Sequence, residues 1–343
     1  MSEVKPDITV IDVNGMGFAA MYQPALAKLQ HNGFATGGLL GSINSVLAHI
    51  NKRPGTVPVV VWDSRAQWRY DLYPEYKGTR ADKPEKIAIR DSYKKQTPYV
   101  REMLMALGIP QISCGGAEAD DIGGKICRDV DDSWIVEMCS KDTDWYQGIK
   151  KNTYWYSPLS EMVVDLDTFT NPEKGLDDGH FVSTHEYLQA KALAGDDSDN
   201  IKGIWKVGIK TAVSKMRAHG GTIEGFWQAI DSGEYTPKGV IEERMATQES
   251  RDLYARNIRL MDWSLSPAIN LEGMALMSGK PDWKLAQGIA DEFGLKKVMK
   301  VAREVLAPWE ESGWGEGLLA IDSALHSEWV QPRIKAGSQS SFV

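Results

Sequence analysis

Three short apolar runs punctuate the first 140 positions: ITVID (8–12), VPVVVWD (57–63) and WIVEMCS (134–140). Runs that are apolar without alternation suit strands buried on both faces of a parallel sheet. Between them, apolar spacing predicts helices over 18–30, 38–51, 88–107 and 118–130. This alternation predicts an α/β fold with a mostly parallel central sheet flanked by helices on both faces. The second half reads as helical, over 184–195, 223–231, 241–262 and 283–306. Gly203 and Gly208 bracket a tight hairpin between two of these helices. Residues 171–182 read as an extra loop. The small, polar end KAGSQSSFV reads as a disordered tail.

In such sheets the active crevice lies beyond the carboxyl ends of the strands. Asp12, Asp63, Asp142 and Asp144 all fall at or just past predicted strand ends, and GAEADD (116–121) opens a helix at the same edge. GDDSDN (195–200) adds Asp196, Asp197 and Asp199. Each acid alone is most simply a turn or cap residue. Together they are a different matter, because carboxylates crowded at close range either protonate or bind cations. Ligation by oxygen alone, with no His or Cys among these motifs, points to Mg²⁺ or Mn²⁺ rather than zinc. Two such ions about 4 Å apart clamp the attacking and leaving oxygens of a phosphodiester. A calcium loop starting at Asp197 fails, because Lys202 and Gly208 occupy the positions that require Gly and Glu. On a regular helix Glu118 and Asp121 share a face, while Asp120 lies about 200° from Glu118. The helix is therefore expected to begin at about Ala119, with Asp120 nearest the cations.

The chain has 343 residues, a net charge of −8 and three cysteines, Cys114, Cys127 and Cys139, without metal-ligand spacing. They read as reduced core thiols. With no secretory pattern at MSEVKPDITV and no long apolar run, the expectation is a cytoplasmic protein without a membrane partner. The negative charge argues against nucleic acid only if it is spread evenly, and it is not. Residues 77–101 hold eight Lys or Arg against three acids, and residues 201–217 hold five against none, each +5. Clustering of this kind shifts a solvated face toward phosphate contact. Tyr70, Tyr73 and Tyr76 interleave with Arg65, Arg69 and Lys77, as a packed stripe first and a stacking platform second. There is no phosphate-binding P-loop and no Gly-x-Ser-x-Gly elbow.

The ordered set VVWD, YKGTR, GAEADD, SKDTDWYQ, GDDSDN and GIWKVGIKTA, followed by RNIRLMDWS, resembles the structure-specific 5′ nuclease family. That family spans flap endonucleases, standalone phage or bacterial 5′–3′ exonucleases and the nuclease domain of DNA polymerase I. The resemblance implies a nuclease core of the PIN-like or resolvase-like type over 1–195, with a helical arch at about 77–105. It also implies a helix–three-turn–helix DNA-binding region over 196–265 and a helical C-terminal extension over 266–343. Asp12, Asp63, Glu118 and Asp120 would ligate a first Mg²⁺, with Asp121 beside them. Asp142, Asp144, Asp196 and Asp199 would ligate a second, and Mn²⁺ would substitute. Lys77 and Arg80 would contact the scissile phosphate, with Arg69 in a similar basic slot, and Tyr76 would stack on a terminal base. Lys202, Gly203, Lys206, Gly208, Lys210 and Thr211 would grip duplex phosphates around a K⁺. The implied activity is hydrolysis of DNA, or of an RNA–DNA hybrid, at a free 5′ end, flap or nick by a monomer, leaving a 5′-phosphate and a 3′-hydroxyl. The alternatives are a non-catalytic branched-DNA-binding protein of the same fold and a PIN-like ribonuclease. Two positions depart from the family pattern: Lys206 stands where a glycine is usual, and so does Val13.

Overall fold

The structure is a computed structural model that describes residues 5–81, 84–173, 176, 179–266, 274–312 and 314–326. The small polar tail lies outside the described residues, as do parts of the 171–182 loop and of the extension. Seven strands form one sheet, in the spatial order Met274–Met277, Gln111–Cys114, Val57–Trp62, Ile8–Asp12, Val136–Cys139, Thr153–Tyr156 and Val163–Val164. The five inner strands run parallel and the two outermost antiparallel. Ile8–Asp12 lies at the centre, with Ile8 opposite both Val57 and Val136. Helices cover both faces, so Val59, Val60 and Val61 are all fully buried, which is why their strand shows no alternation.

The first predicted helix is corrected in detail. The chain enters the helix Val13–Met21 directly from the central strand. A single turn, Pro24–Ala27, follows, and then a hairpin pairs Gln30–His31 with Phe34–Ala35. Asn32 (φ 48°) and Gly33 (φ 80°) make that hairpin, an Asn-Gly turn that the helical reading of 18–30 passes over. The segment predicted as a helix over 88–107 is longer, Pro84–Ala106, and carries Pro98 within it. Two inner strands escape the sequence pattern. QISC is too polar to register, and TYWY is aromatic with a polar start.

The extension closes one edge of the sheet. Met274–Met277 pairs antiparallel with Gln111–Cys114. The helix Lys296–Ser312 then lies against Gly37–Lys52, and Gly315–His326 against Ala119–Asp129. Trp314 Nε1 donates to the Gly108 carbonyl at 2.7 Å, tying the last helices to the turn that precedes Gln111–Cys114. Among the described residues no helix is long and apolar enough to cross a membrane.

Candidate metal and phosphate site

The carboxyl ends of the parallel strands open into a cleft of about 480 Å³, lined by Asp12, Asp63, Glu118, Asp120, Asp142 and Asp199, with Lys77 and Arg80. Each acid is placed by a local backbone job. Asp12 ends the central strand and caps the next helix, accepting from Gly15 N–H at 3.1 Å, while Ser140 Oγ donates to it at 3.0 Å. Asp63 accepts from Asn14 Nδ2 at 3.0 Å and from Ala119 N–H at 2.9 Å, which joins the second strand to the GAEADD turn. Glu118 is the N-cap, and the helix begins at Ala119, as the angular argument requires. Trp145 Nε1 donates to Asp120 Oδ1 at 2.9 Å. Asp142 caps the short turn Thr143–Gly148 by accepting from Asp144 N–H at 3.0 Å.

Burial among like charges leaves Asp12, Asp120 and Asp142 reluctant to ionise. Burial first, and Asp63 second, pushes the Asp12 carboxyl up to about 6. Asp120 is raised well above the usual range by burial and then by Asp142, Asp63, Glu118 and Asp12. Burial also raises Asp142, against the opposing pull of Lys191. Such a donor set is hard and oxygen-only, the chemistry that suits a divalent cation. Among the described residues, no group of three or more His, Cys, Asp or Glu is arranged to hold a metal ion as it stands. Side-chain cations take up part of the charge instead. Lys77 Nζ lies 2.6 Å from Glu118 and 3.5 Å from Asp199, and Arg80 lies 2.5 Å from Asp199. Lys77 takes left-handed backbone (φ 57°), its N–H donating to the Asp199 carbonyl at 2.8 Å.

Three residues from the candidate set face elsewhere. Asp121 is 1% exposed and turned away from the cleft. Arg69 donates to it through both terminal nitrogens at 2.7 and 2.8 Å, Ser266 Oγ at 2.5 Å and Glu118 N–H at 2.9 Å. Although burial pushes it up, Arg69 holds its carboxyl below the usual range. With every donor committed inward, Asp121 closes a capping box and does not belong with the cleft acids as a metal ligand. Arg69, 3% exposed, spends its Nε on the Leu260 carbonyl at 3.0 Å, so it has no surface to offer DNA. Tyr76, also 3% exposed, shares its one hydroxyl proton between Glu118 and Asp199, each 2.9 Å away, and its ring packs against Tyr70, so it is not placed to stack on a base.

Asp144 and Asp196 sit beside the cleft rather than in its lining, and both pair with Lys191, Asp196 at 3.1 Å. Lys191 carries little sequence signal, only that of a cationic residue in the last turn of the helix Thr184–Ala194, just ahead of the acids. Trp145 lies inside SKDTDWYQ but gives no sequence sign that it holds Asp120. Lys86, Arg90 and Lys141 also line the cleft, and of these only Lys141 lies outside the basic segments.

The helix Thr184–Ala194 ends at Gly195 (φ 81°), and GDDSDN leads from there into the second basic segment. Gly195–Asp196 pairs with Ile201–Lys202, and a Cβ on Gly203 would lie 1.9 Å from the Ala194 carbonyl oxygen, so this approach requires glycine. The left-handed residue of the following turn is Lys206 (φ 64°). Gly208 is the N-cap of the helix Ile209–Arg217 and gives it no side-chain hydrogen bond. Lys202, Lys206 and Lys210 are exposed and Thr211 is half-buried.

Residues 7–174 match the family described as the 5′-3′ exonuclease, N-terminal resolvase-like domain. Sequence relatives include DNA polymerase I of Streptococcus pneumoniae serotype 4, 29% identical over 314 residues, which are 90% of this chain and 34% of the relative. The thermostable DNA polymerase I of Thermus thermophilus is 28% identical over 264 residues, 75% of this chain and 29% of the relative. The chain thus spans about a third of the length of the curated relatives it matches. Among solved structures, T5 5′-exonuclease with bound zinc superposes with a TM-score of 0.60 at 19% identity, covering 88% of this chain and 98% of that one. Flap endonuclease-1 from Methanococcus jannaschii gives 0.52 at 15% identity, covering 89% and 93%. These two likenesses establish a common fold.

Proposed function

We propose, from the premise that this chain belongs through residues 7–174 to the 5′-3′ exonuclease family, that its acidic cleft hydrolyses phosphodiester bonds in DNA near a free 5′ end. The observation that carries this reading is one cleft lined by acids from separate segments, with Lys77 and Arg80 in its wall. Asp12, Asp63, Glu118, Asp120, Asp142 and Asp199 would hold divalent cations, Mg²⁺ or Mn²⁺. Bound there, such ions neutralise the phosphate and activate water near neutral pH. Asp144 and Asp196 act one step back, with Lys191 between them.

The chain's own residues do the rest. Lys77 and Arg80 exchange Glu118 and Asp199 for the scissile phosphate and meet the negative charge that builds as the bond breaks. The helix Pro84–Ala106 brings Lys86 and Arg90 over the same cleft, where they position the 5′ strand of a flap or nick in DNA or an RNA–DNA hybrid. The first turn of Ile209–Arg217 leaves backbone N–H groups without a side-chain cap, facing a duplex phosphate alongside Lys202, Lys210 and Thr211. Lys206 supplies in that turn the positive charge that the resemblance assigns to K⁺. The products are a 5′-phosphate and a 3′-hydroxyl, released by a monomer.

A 5′-labelled flap substrate with Mg²⁺ tests this. Cleavage by the wild type, lost in Asp120→Ala while the variant still binds the flap, is the expected result. Cleavage that survives EDTA, or full activity of Asp120→Ala, would refute it.

A further inference from the structure

Trp205 is 62% exposed, on the turn between Ile201–Lys202 and the helix Ile209–Arg217. Two cations lie close to its ring, Lys206 Nζ at 4.3 Å and the Arg244 guanidinium at 4.5 Å from the centroid. Arg244 also donates to the Trp205 carbonyl at 2.9 Å, which fixes the backbone of the turn. Lys206 holds left-handed backbone (φ 64°), a conformation that an L side chain resists. The turn is thus held in a shape its own residues do not favour, and it places an indole beside two positive groups. Lys202 and Lys210 stand exposed on either side in sequence.

We infer that Trp205 is a duplex-contacting aromatic, packing its indole against the sugar and base edges of double-stranded DNA while Lys206 and Arg244 meet the flanking phosphates. The inference rests on the DNA reading above and deepens it. Charge decides the class of partner. Cations this close to the ring would be costly to dry against an apolar protein surface, whereas phosphates repay them. Trp205 and Arg244 also line a groove of about 550 Å³ that carries Glu243 and Glu249, so phosphates would meet the cations on the side of Trp205 away from those two acids. An aromatic contact also differs in kind from the backbone grip, because it adds affinity that salt does not screen.

Equilibrium binding in EDTA, where nothing is cut, separates the two contributions. The probes are a labelled blunt duplex and a single strand of the same length, each titrated across a range of KCl. Trp205→Ala is expected to weaken duplex binding about tenfold at every salt concentration, with the slope of log Kd against log salt unchanged and single-strand binding unmoved. Trp205→Phe, which keeps an aromatic ring, stays within about threefold of wild type. Lys206→Gly keeps the turn and lowers the salt slope by about one. Duplex binding by Trp205→Ala equal to wild type, or a loss confined to low salt, would overturn this inference alone. A wild-type protein that bound no duplex at any salt would take the nuclease reading down with it.

Discussion

Replacing Arg69 by Met tests whether this basic residue serves the proposed DNA contact or the fold. The guanidinium is 3% exposed and its partner Asp121 is 1% exposed. Removing it strands a carboxylate that keeps only Ser266 Oγ and Glu118 N–H as donors, and it also frees the Leu260 carbonyl. Breaking one half of a buried pair costs about 3–5 kcal/mol. Unfolding entropy of about 2.1 cal/mol/K per residue, over 343 residues, turns that into a fall in Tm of about 4–7 °C. Arg69→Met/Asp121→Asn leaves no stranded charge and keeps an acceptor for Glu118 N–H, so the double variant recovers about half of the loss. The deficit also depends on pH. Asp121 titrates below its ordinary range in the fold, so its contribution is present above the unfolded value and fades as pH falls through the folded one. In Arg69→Met the carboxyl accepts a proton more readily, and the gap to wild type narrows in acid. Thermal melts of the wild type, single and double variants across pH measure all of this. An Arg69→Met protein with unchanged Tm and weakened DNA binding would return Arg69 to the DNA surface and refute the account.

The cleft acids give the opposite pH sign. Asp12 holds its proton up to about 6 against an ordinary 3.8, and Asp120 and Asp142 shift the same way, so the native state binds protons that the unfolded chain has released. In EDTA, Tm should fall as pH climbs through about 6, and added Mg²⁺ should abolish the fall. A metal-free Tm that rises across that window would contradict the charge crowding. In Gly123→Ala, a Cβ would lie 2.4 Å from the Trp145 ring, and Trp145 holds Asp120. Overpacking costs about 1–3 kcal/mol there, and kcat on a flap should drop beyond what the lower Tm explains. Gly124→Ala meets Trp263 at 2.3 Å instead, so it should lose comparable stability with a smaller drop in kcat.

What the sequence reveals and what it hides divide by range. Continuous apolar runs announce three inner strands, because burial on both faces leaves no alternation to disguise them. Their terminal acids then share an edge by topology alone, and the structure has Asp12, Asp63 and Asp142 lining one cleft. The start of the GAEADD helix is legible because it follows from the angular spacing of residues within one turn. Arg69, Tyr76 and Asp121 are misplaced because their environments are assembled from far along the chain. Arg69 finds Asp121 across 52 positions and the Leu260 carbonyl across 191, while Asp121 finds Ser266 across 145. Nothing local separates an arginine bound for solvent from one bound for a buried carboxylate. Lys191 and Trp145 escape for the same reason, since each acts through an acid on another element.

The family match ends at residue 174, but the sheet it describes is finished by a strand a hundred positions later. Shorten the chain before Met274, and Gln111–Cys114 becomes a bare margin with unsatisfied N–H and carbonyl groups along one side. A second molecule in the same condition offers the matching margin, and backbone pairing between copies needs no particular side chains to proceed. The extension therefore acts as a built-in guard against self-association, independent of any part in chemistry. A truncated protein designed around residues 7–174 would be expected to precipitate or domain-swap before any assay could be run.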